Sequence, residues 1–228
     1  LSWKNNLTLM QKVKDKNIRI WYVKKNLQEG WSNSTLNYQI NTNLYTRQIK
    51  NKKHNNFKFT MKENSDLAST MMKDPYVFDL MELTENYKEK ELENKMLKKL
   101  KNILLELGSG FSFVGNQYKV VVDNHDFYID LLFYHIHLKC YIAIELKVGE
   151  FKVEYAGKML FYLTALDNEV KGVSDHPSIG IILCQNKNNR VVDYTLKYIN
   201  KPVGISEYRI FNKKQIEMLQ NLTMESDK

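Results

Sequence analysis

Phe127–His135 (FYIDLLFYH) and Cys140–Val148 (CYIAIELKV) decide how the rest of this chain is read. Both are apolar, aromatic and β-branched, which is a strand composition, and only Ile136–Lys139 separates them. A turn centred between His137 and Leu138 makes residues whose numbers sum to 275 face each other. Asp130 and Glu145 satisfy that sum, so their carboxylates are expected as opposite neighbours, roughly 5 Å apart at Cβ. Lys147 lies two residues beyond Glu145 and projects from the same face. Two acids and a lysine on one spot of an apolar hairpin are costly unless a charge sits between the acids.

A carboxylate pair with no histidine, thiol or third acid beside it is a hard-oxygen site, suited to Mg²⁺ or Mn²⁺. Such an ion completes its shell with water and substrate phosphate. A lysine next to it can orient the attacking water or stabilise charge on the phosphate. The spacing Asp130-x14-Glu145-x-Lys147 therefore suits metal-assisted phosphodiester hydrolysis. A plain acid–lysine ion pair at the end of a hairpin is the structural alternative, and the residues alone leave it open.

Longer stretches carry a resemblance. ELGSGFSFVGNQYKVVV (106–122), DFYIDLLFYH (126–135), LKCYIAIELKVGEF (138–151) and AGKMLFYL (156–163) resemble the YhcG-type family of PD-(D/E)XK nuclease-domain proteins. PSIGIILC (Pro177–Cys184) and KPVGISEY (Lys201–Tyr208) continue the match. LSW (Leu1–Trp3), KVKDKNIRIWY (Lys12–Tyr22), GWSNSTLNYQI (Gly30–Ile40) and LYTRQ (Leu44–Gln48) resemble the helical domain that precedes the nuclease in that family.

The resemblance implies a restriction-endonuclease-like α/β (α+β) core, a mixed sheet flanked by helices, behind a small helix-turn-helix-like domain. It implies a metal site on Asp130 and Glu145, with the Leu146 carbonyl as a third ligand and Lys147 beside it. The "P-D" element reads Ile129–Asp130 here, so only its aspartate is retained. Glu93 matches the ELE-type segment of the first core helix and is the candidate extra acid, with Glu91 and Glu106 as rivals. Gln117 corresponds to a recurrent glutamine; it could orient a metal-bound water or a phosphate oxygen, or equally satisfy strand backbone. Where the superfamily often carries Gln-x3-Tyr on the next helix, this chain has Lys158 and Tyr162. A charged lysine cannot accept a hydrogen bond, which favours contact with substrate phosphate over positioning of water.

Charge is unevenly placed. Residues 1–60 carry twelve Lys/Arg and two Asp/Glu, a net of +10, while the remainder nets −2, together the +8 of the chain. A segment that basic, interleaved with Trp3, Trp21, Trp31, Tyr22, Tyr38 and Tyr45, suits a polyanion, and nucleic acid fits better than a membrane. A lysine-rich solvated surface in an asparagine-heavy chain is the competing explanation. Ile18–Leu27 reads as a helix stopped near Gly30, and Ser32 or Ser34 as the cap of a second helix through Leu36, Ile40 and Leu44. A helix pair around a short turn is a helix-turn-helix layout. On that layout Asn33, Thr35, Asn37, Asn41, Arg47 and Lys50 are the residues expected to meet DNA.

The expected domains are a basic helical module over 1–60, a linker over 61–85, and a nuclease domain over 86–228. Residues 50–64 are polar and aperiodic, a linker or a β-excursion. Glu89–Leu107 reads as one amphipathic helix capped by Gly108. Phe111–Val122 reads as a strand pair broken at Gly115. Glu154–Leu166 is expected as a helix, Ile179–Cys184 as a buried parallel strand, Val191–Leu196 as a strand or helix start, and Lys213–Leu222 as a terminal amphipathic helix. The histidines show no ligand spacing.

Hydrophobic content is 43%, ordinary for a globular chain, and no apolar run reaches the roughly 18 residues a membrane span needs. Cys140 and Cys184 fall in apolar strands and read as reduced, buried thiols of a cytoplasmic protein. The chain starts at Leu1, which points to a fragment. The reading is a Mg²⁺- or Mn²⁺-dependent nuclease acting on nucleic acid, DNA first. The competitor from another class is a non-catalytic DNA-binding or assembly protein on the same scaffold. An RNase differs only in substrate. A homodimer is also open, since nucleases that cut both strands often pair their sites.

Overall fold

Asp15 and Ser32 through their side chains, and Gly30 through its lack of one, punctuate the first helices. The computed structural model describes residues 1–79 and 87–211. It divides into a first compact unit, to which Leu1–Asn51 belong, and a second, Lys52–Ile210. In the first, α1 (Trp3–Lys12), α2 (Lys16–Glu29) and α3 (Asn33–Asn41) are followed by a π-helical turn, Thr46–Lys50. The Asp15 carboxylate accepts the Asn17 and Ile18 amides at the start of α2, and Gly30 ends it in the left-handed region at φ 64°. The Ser32 hydroxyl caps α3 by accepting the Thr35 amide. Leu9, Val13, Tyr22, Trp31, Leu36 and Leu44 form the core of this unit.

The expected linker is not the observed division. The second unit starts at Lys52, and residues 52–79 supply β1 (His54–Asn55), α4 (Phe57–Thr60), α5 (Ser65–Met71) and β2 (Tyr76–Asp79). Phe57, Met72, Tyr76 and Phe78 are fully buried there, so the polar run at 50–64 leads straight into the sheet's core. Then come α6 (Glu89–Lys98), α7 (Leu100–Leu107), β3 (Phe111–Val122), β4 (His125–His135), β5 (Cys140–Glu150), α8 (Val153–Glu169), β6 (Ile179–Asn186), α9 (Asn189–Lys197) and β7 (Val203–Phe211). The expected terminal helix over 213–222 lies outside the described residues.

Among the described residues the sheet has seven strands, ordered β1-β7-β6-β5-β4-β3, with β2 also pairing β7. β3, β4 and β5 are antiparallel, and β6 and β7 continue from β5 in parallel, so the sheet is mixed. α4 to α7 cover one face, where Leu92, Met96, Ile103 and Leu107 meet Leu131, Phe133, Ile142, Ile144 and Ile181. α8 and α9 cover the other through Ala156, Met159, Leu163, Val192 and Leu196, against Ile129, Leu132, Ala143 and Ile182. This is the mixed sheet flanked by helices that the sequence led us to expect. α8 lies very close to the sheet: a Cβ on Gly180 would sit 2.6 Å from the side chain of Met159.

Two local expectations are corrected, and one open alternative is decided. Glu89–Leu107 is two helices, because the chain tightens at Lys99 (φ −117°, ψ 33°), where the amides of Lys99 and Asn102 bond three residues back. No glycine or proline signals that break; it lets both segments lay their apolar stripes on one core. Phe111–Val122 is a single strand with a bulge between Phe113 and Gly115. Val191–Leu196 belongs to a helix, started by Asn188, whose side chain accepts the Arg190 and Val191 amides.

Candidate active site

The register of β4 and β5 matches the hairpin reading: Leu131 pairs with Ile144, Leu132 with Ala143 and Phe133 with Ile142, each summing to 275. Beyond Leu131 the ladder gives way to side chains. Asp130 Oδ2 accepts the Leu146 amide at 2.8 Å, the place of a strand carbonyl. The faces also reset here, since Ile129 and Leu131, two residues apart, join opposite cores. A strand that switches faces at an aspartate turns the carboxylate out of the alternation that buries its neighbours.

Glu145 is 1% exposed and lies between two ammonium groups. Its Oε1 stands 2.9 Å from Lys147 Nζ and 2.6 Å from Lys158 Nζ. Its Oε2 is buried and has no hydrogen-bond partner among the described residues. The two lysines differ in setting. Lys147 has a side chain only 10% exposed and is enclosed by Glu145, by Glu89 at 3.2 Å and by the ring of Tyr155. Lys158, on α8, is 44% exposed and lies over the ring of Tyr162. Tyr162 itself is buried and its hydroxyl donates to the Tyr128 carbonyl at 2.6 Å, tying α8 to β4.

Asp130 opens into a cleft of about 440 Å³, lined also by Glu89, Lys90, Glu93, Asn94, Asn116, Gln117 and Leu146. Gln117 takes a left-handed backbone conformation, φ 42°, uncommon for a residue with a side chain. From there its amide reaches two acids, Glu93 Oε2 at 2.7 Å and Asp130 Oδ1 at 3.3 Å. Asn116 donates to the other oxygen of Glu93 at 3.3 Å. Glu93 is thus brought to Asp130 through Gln117. The rivals do other work: Glu91 accepts the Lys88 amide at the start of α6, and buried Glu106 accepts the Val77 amide.

Burial, with the nearby Glu145 charge, pushes the Asp130 carboxyl up to about 6, against the pull of the Leu146 amide, Lys147 and Lys158. For Lys147, burial alone favours the neutral form, but the charge and hydrogen bond of Glu145, with Asp130 and Glu89, hold the ammonium above its ordinary value. Lys158 is raised in the same way: burial opposes, and the hydrogen bond and charge of Glu145 prevail. Both lysines are therefore cations whose partner is a buried carboxylate.

Glu89 was not foreseen. It lines the cleft, holds Lys147 and accepts the Val148 amide at 3.3 Å. The available signal was its i, i+4 spacing to Glu93, which puts both on one face of α6. Other acids near the hairpin serve elsewhere: Asp126 pairs with Lys119, and Asp175 accepts the Tyr134 hydroxyl. His135 accepts the Leu138 amide, and burial beside His137 lowers its pKa to about 4. Cys140 and Cys184 are free and buried, with thiols pushed up to about 12 by burial.

In the first unit, helix, turn and helix occur as expected, but the polar residues of α3 are largely spent on packing. The Asn33 amide donates to the Lys4 carbonyl, Asn5 and Thr8, and that of Asn37 to Asn33. Asn41 accepts from Lys12 at 3.2 Å. Arg47 is buried, its guanidinium bonded to the carbonyl and hydroxyl of Thr42. Lys50 is exposed, its ammonium over the ring of Tyr45.

Residues 69–223 match the family described as YhcG PDDEXK nuclease domain, and residues 1–47 the DUF1016 N-terminal domain. The chain is 33% identical over 202 residues to the Escherichia coli (strain K12) protein named "Putative nuclease YhcG", covering 87% of this chain and 53% of that one. It thus spans about half the length of the curated relative it matches. Two solved structures are similar at lower levels. A repair endonuclease from Pyrococcus abyssi is 18% identical, with a TM-score of 0.38 over 57% of this chain and 50% of that chain. The EndoMS-dsDNA2 complex is 14% identical, with a TM-score of 0.37 over 59% and 48%.

Proposed function

The chain belongs to the YhcG PDDEXK nuclease-domain family, and on that premise we propose that it is a divalent-metal-dependent endonuclease that hydrolyses phosphodiester bonds, DNA first. The observation that carries this reading is the orphaned, buried Oε2 of Glu145, on the strand next to Asp130. A buried carboxylate oxygen without a donor is expensive unless a cation completes it. The donors fit a hard cation: the carboxylates of Asp130, which lines the polar cleft, and of Glu145 on the adjoining strand, with no thiol or imidazole among the cleft's lining residues. Among the described residues no three acid, histidine or cysteine side chains are grouped to hold a metal, so water and substrate would have to complete the ion's shell. Asp130 and Glu145 would hold Mg²⁺ or Mn²⁺, with the Leu146 carbonyl as the third donor and Glu93 acting from the cleft wall.

When bound, the ion would supply Lewis-acid stabilisation of the scissile phosphate and a more acidic water. Lys147, fixed by Glu89 and Tyr155, places a cation where charge develops on the phosphate. Gln117 aligns Asp130 with Glu93 and keeps the aspartate's free lone pairs turned to the cleft. Lys158 meets the substrate backbone from α8, and Tyr162 keeps that helix in place. In the first unit Lys50 is the favoured phosphate contact, while Arg47 supports the fold behind it. Among the described residues no helix is long and apolar enough to cross a membrane.

The test is plasmid nicking with Mg²⁺, Mn²⁺ or EDTA, on the wild type and on Asp130→Ala and Lys147→Ala. Nicking that needs the metal and disappears in both folded variants is the expected result. Unchanged nicking in both would remove the site. Tight DNA binding with no nicking under any metal would favour the scaffold reading instead.

A further inference from the structure

Two lysines on one carboxylate oxygen are more cation than a nuclease site of this charge needs once a divalent ion arrives. Without the ion, Lys147 and Lys158 both sit on Glu145 Oε1, and Lys147 also holds Glu89. Those contacts pair the Glu145 carboxylate, only 1% exposed, as a buried charge requires. A divalent cation at Oε2 would stand beside both ammonium groups and repel them. Only one of them can leave. Lys147 is enclosed by Glu145, Glu89 and the ring of Tyr155. Lys158 has a side chain 44% exposed on the surface of α8, and Glu145 is its sole acidic partner among the described residues.

We propose that Lys158 is a stand-in cation for the metal: it neutralises Glu145 in the metal-free protein, and gives up that contact when a divalent ion takes the carboxylate. This rests on the metal-nuclease reading and adds to it a coupling between the two ligands of the site. Once released, the Lys158 ammonium is free on the side from which it could engage a phosphodiester. Metal binding then raises affinity for nucleic acid beyond the charge of the ion, and nucleic acid raises affinity for the metal by the same factor. A glutamine at this position would not do this, because it carries no charge to exchange.

The experiment uses Mn²⁺ alone, with no nucleic acid, on the wild type, Lys158→Met and Glu145→Gln. Bound Mn²⁺ is measured by electron paramagnetic resonance. In parallel, acetylation of Lys158 and Lys147 by a limiting amine-reactive ester is quantified by peptide mass spectrometry, with EDTA and with Mn²⁺. Removing a competing unit charge should tighten Mn²⁺ binding about tenfold in Lys158→Met. In the wild type, Mn²⁺ should raise acetylation of Lys158 about threefold or more while Lys147 stays slow. Mn²⁺ that binds the wild type without changing Lys158 reactivity overturns the exchange, and so does equal or weaker binding in Lys158→Met. The labelling arm needs no variant, so a poorly folded substitution does not blunt it. If no Mn²⁺ binds the wild type at all, the metal reading itself fails and takes the exchange with it, an outcome separate from the first two.

Discussion

The Asp130 carboxylate occupies the Leu146 amide at 2.8 Å, where β4 would otherwise offer a backbone carbonyl to β5. An acid that stands in for main chain cannot rotate freely, so one oxygen is committed to the sheet and the other faces Gln117 and the cleft. The same contact sets its energetics. Burial and Glu145 disfavour the charge that the amide, Lys147 and Lys158 favour, and the balance leaves the carboxyl at about 6.

That balance gives a pH-dependent stability. The folded pKa is raised above the unfolded value of about 3.9, so the folded state binds the proton more tightly. The contribution to stability is present below the unfolded pKa and is lost as pH rises through about 6. Asp130→Asn keeps an acceptor for the Leu146 amide and removes the charge. In metal-free protein with EDTA, its unfolding free energy should match the wild type near pH 4 and exceed it at pH 7 by an amount on the order of 1 kcal/mol. A difference that does not grow between those two values would contradict the assignment.

Gln117 holds a left-handed backbone while bridging Glu93 and Asp130. Such a conformation costs a side-chain-bearing residue on the order of 1 kcal/mol, which glycine does not incur. Gln117→Gly should therefore leave the unfolding free energy within about 1 kcal/mol of the wild type while cleavage falls by roughly ten- to a hundredfold. Urea denaturation and a nicking time course on the same preparation separate the two effects. A large loss of stability with full activity would mean that the amide serves the strand rather than the acids.

Tyr162 is buried with its hydroxyl on the Tyr128 carbonyl. Removing the hydroxyl leaves that carbonyl short of a donor, so Tyr162→Phe should destabilise by about 1–2 kcal/mol. Its KM for an oligonucleotide should stay within about twofold of the wild type, because the group faces backbone and not substrate. A raised KM at unchanged melting temperature would restore the role of substrate contact.

In the first unit the two basic residues after α3 should part company. Arg47→Met breaks bonds to Thr42 inside a core and should lower the stability of residues 1–51 by about 2–4 kcal/mol. Lys50→Ala should leave the melting curve in place, weaken binding of DNA and reduce the slope of log affinity against log salt by about 1. A Lys50→Ala salt slope identical to the wild type would move the nucleic-acid surface elsewhere.

How much of this was legible in the chain depends on distance along it. The register expected to set Asp130 against the β5 acid needed only a turn centre, and the ladder follows that register as far as Leu131 opposite Ile144. The helix stop at Gly30 and the cap at Ser32 are local chemistry and were readable for the same reason. Lys158 was visible as a substitution for glutamine, but its contact with Glu145 depends on how α8 settles on the sheet, which no local pattern encodes. Glu89 was missed because the break at Lys99 and the approach of α6 to β5 are tertiary facts. Arg47 looked like a surface cation until the turn that buries it was known.

Gly180 gives the site an unexpected gauge. The side chain of Met159 rests on the bare backbone of β6, where one added methyl would meet it at 2.6 Å. Met159 is fully buried, and its neighbour in sequence is Lys158. The reach of that lysine is therefore metered by a hydrogen atom on β6, the strand that pairs with β5. A single carbon placed at Gly180 would act as a shim under the helix, adjusting from inside the core how firmly the lysine grips Glu145, without touching any polar atom of the site.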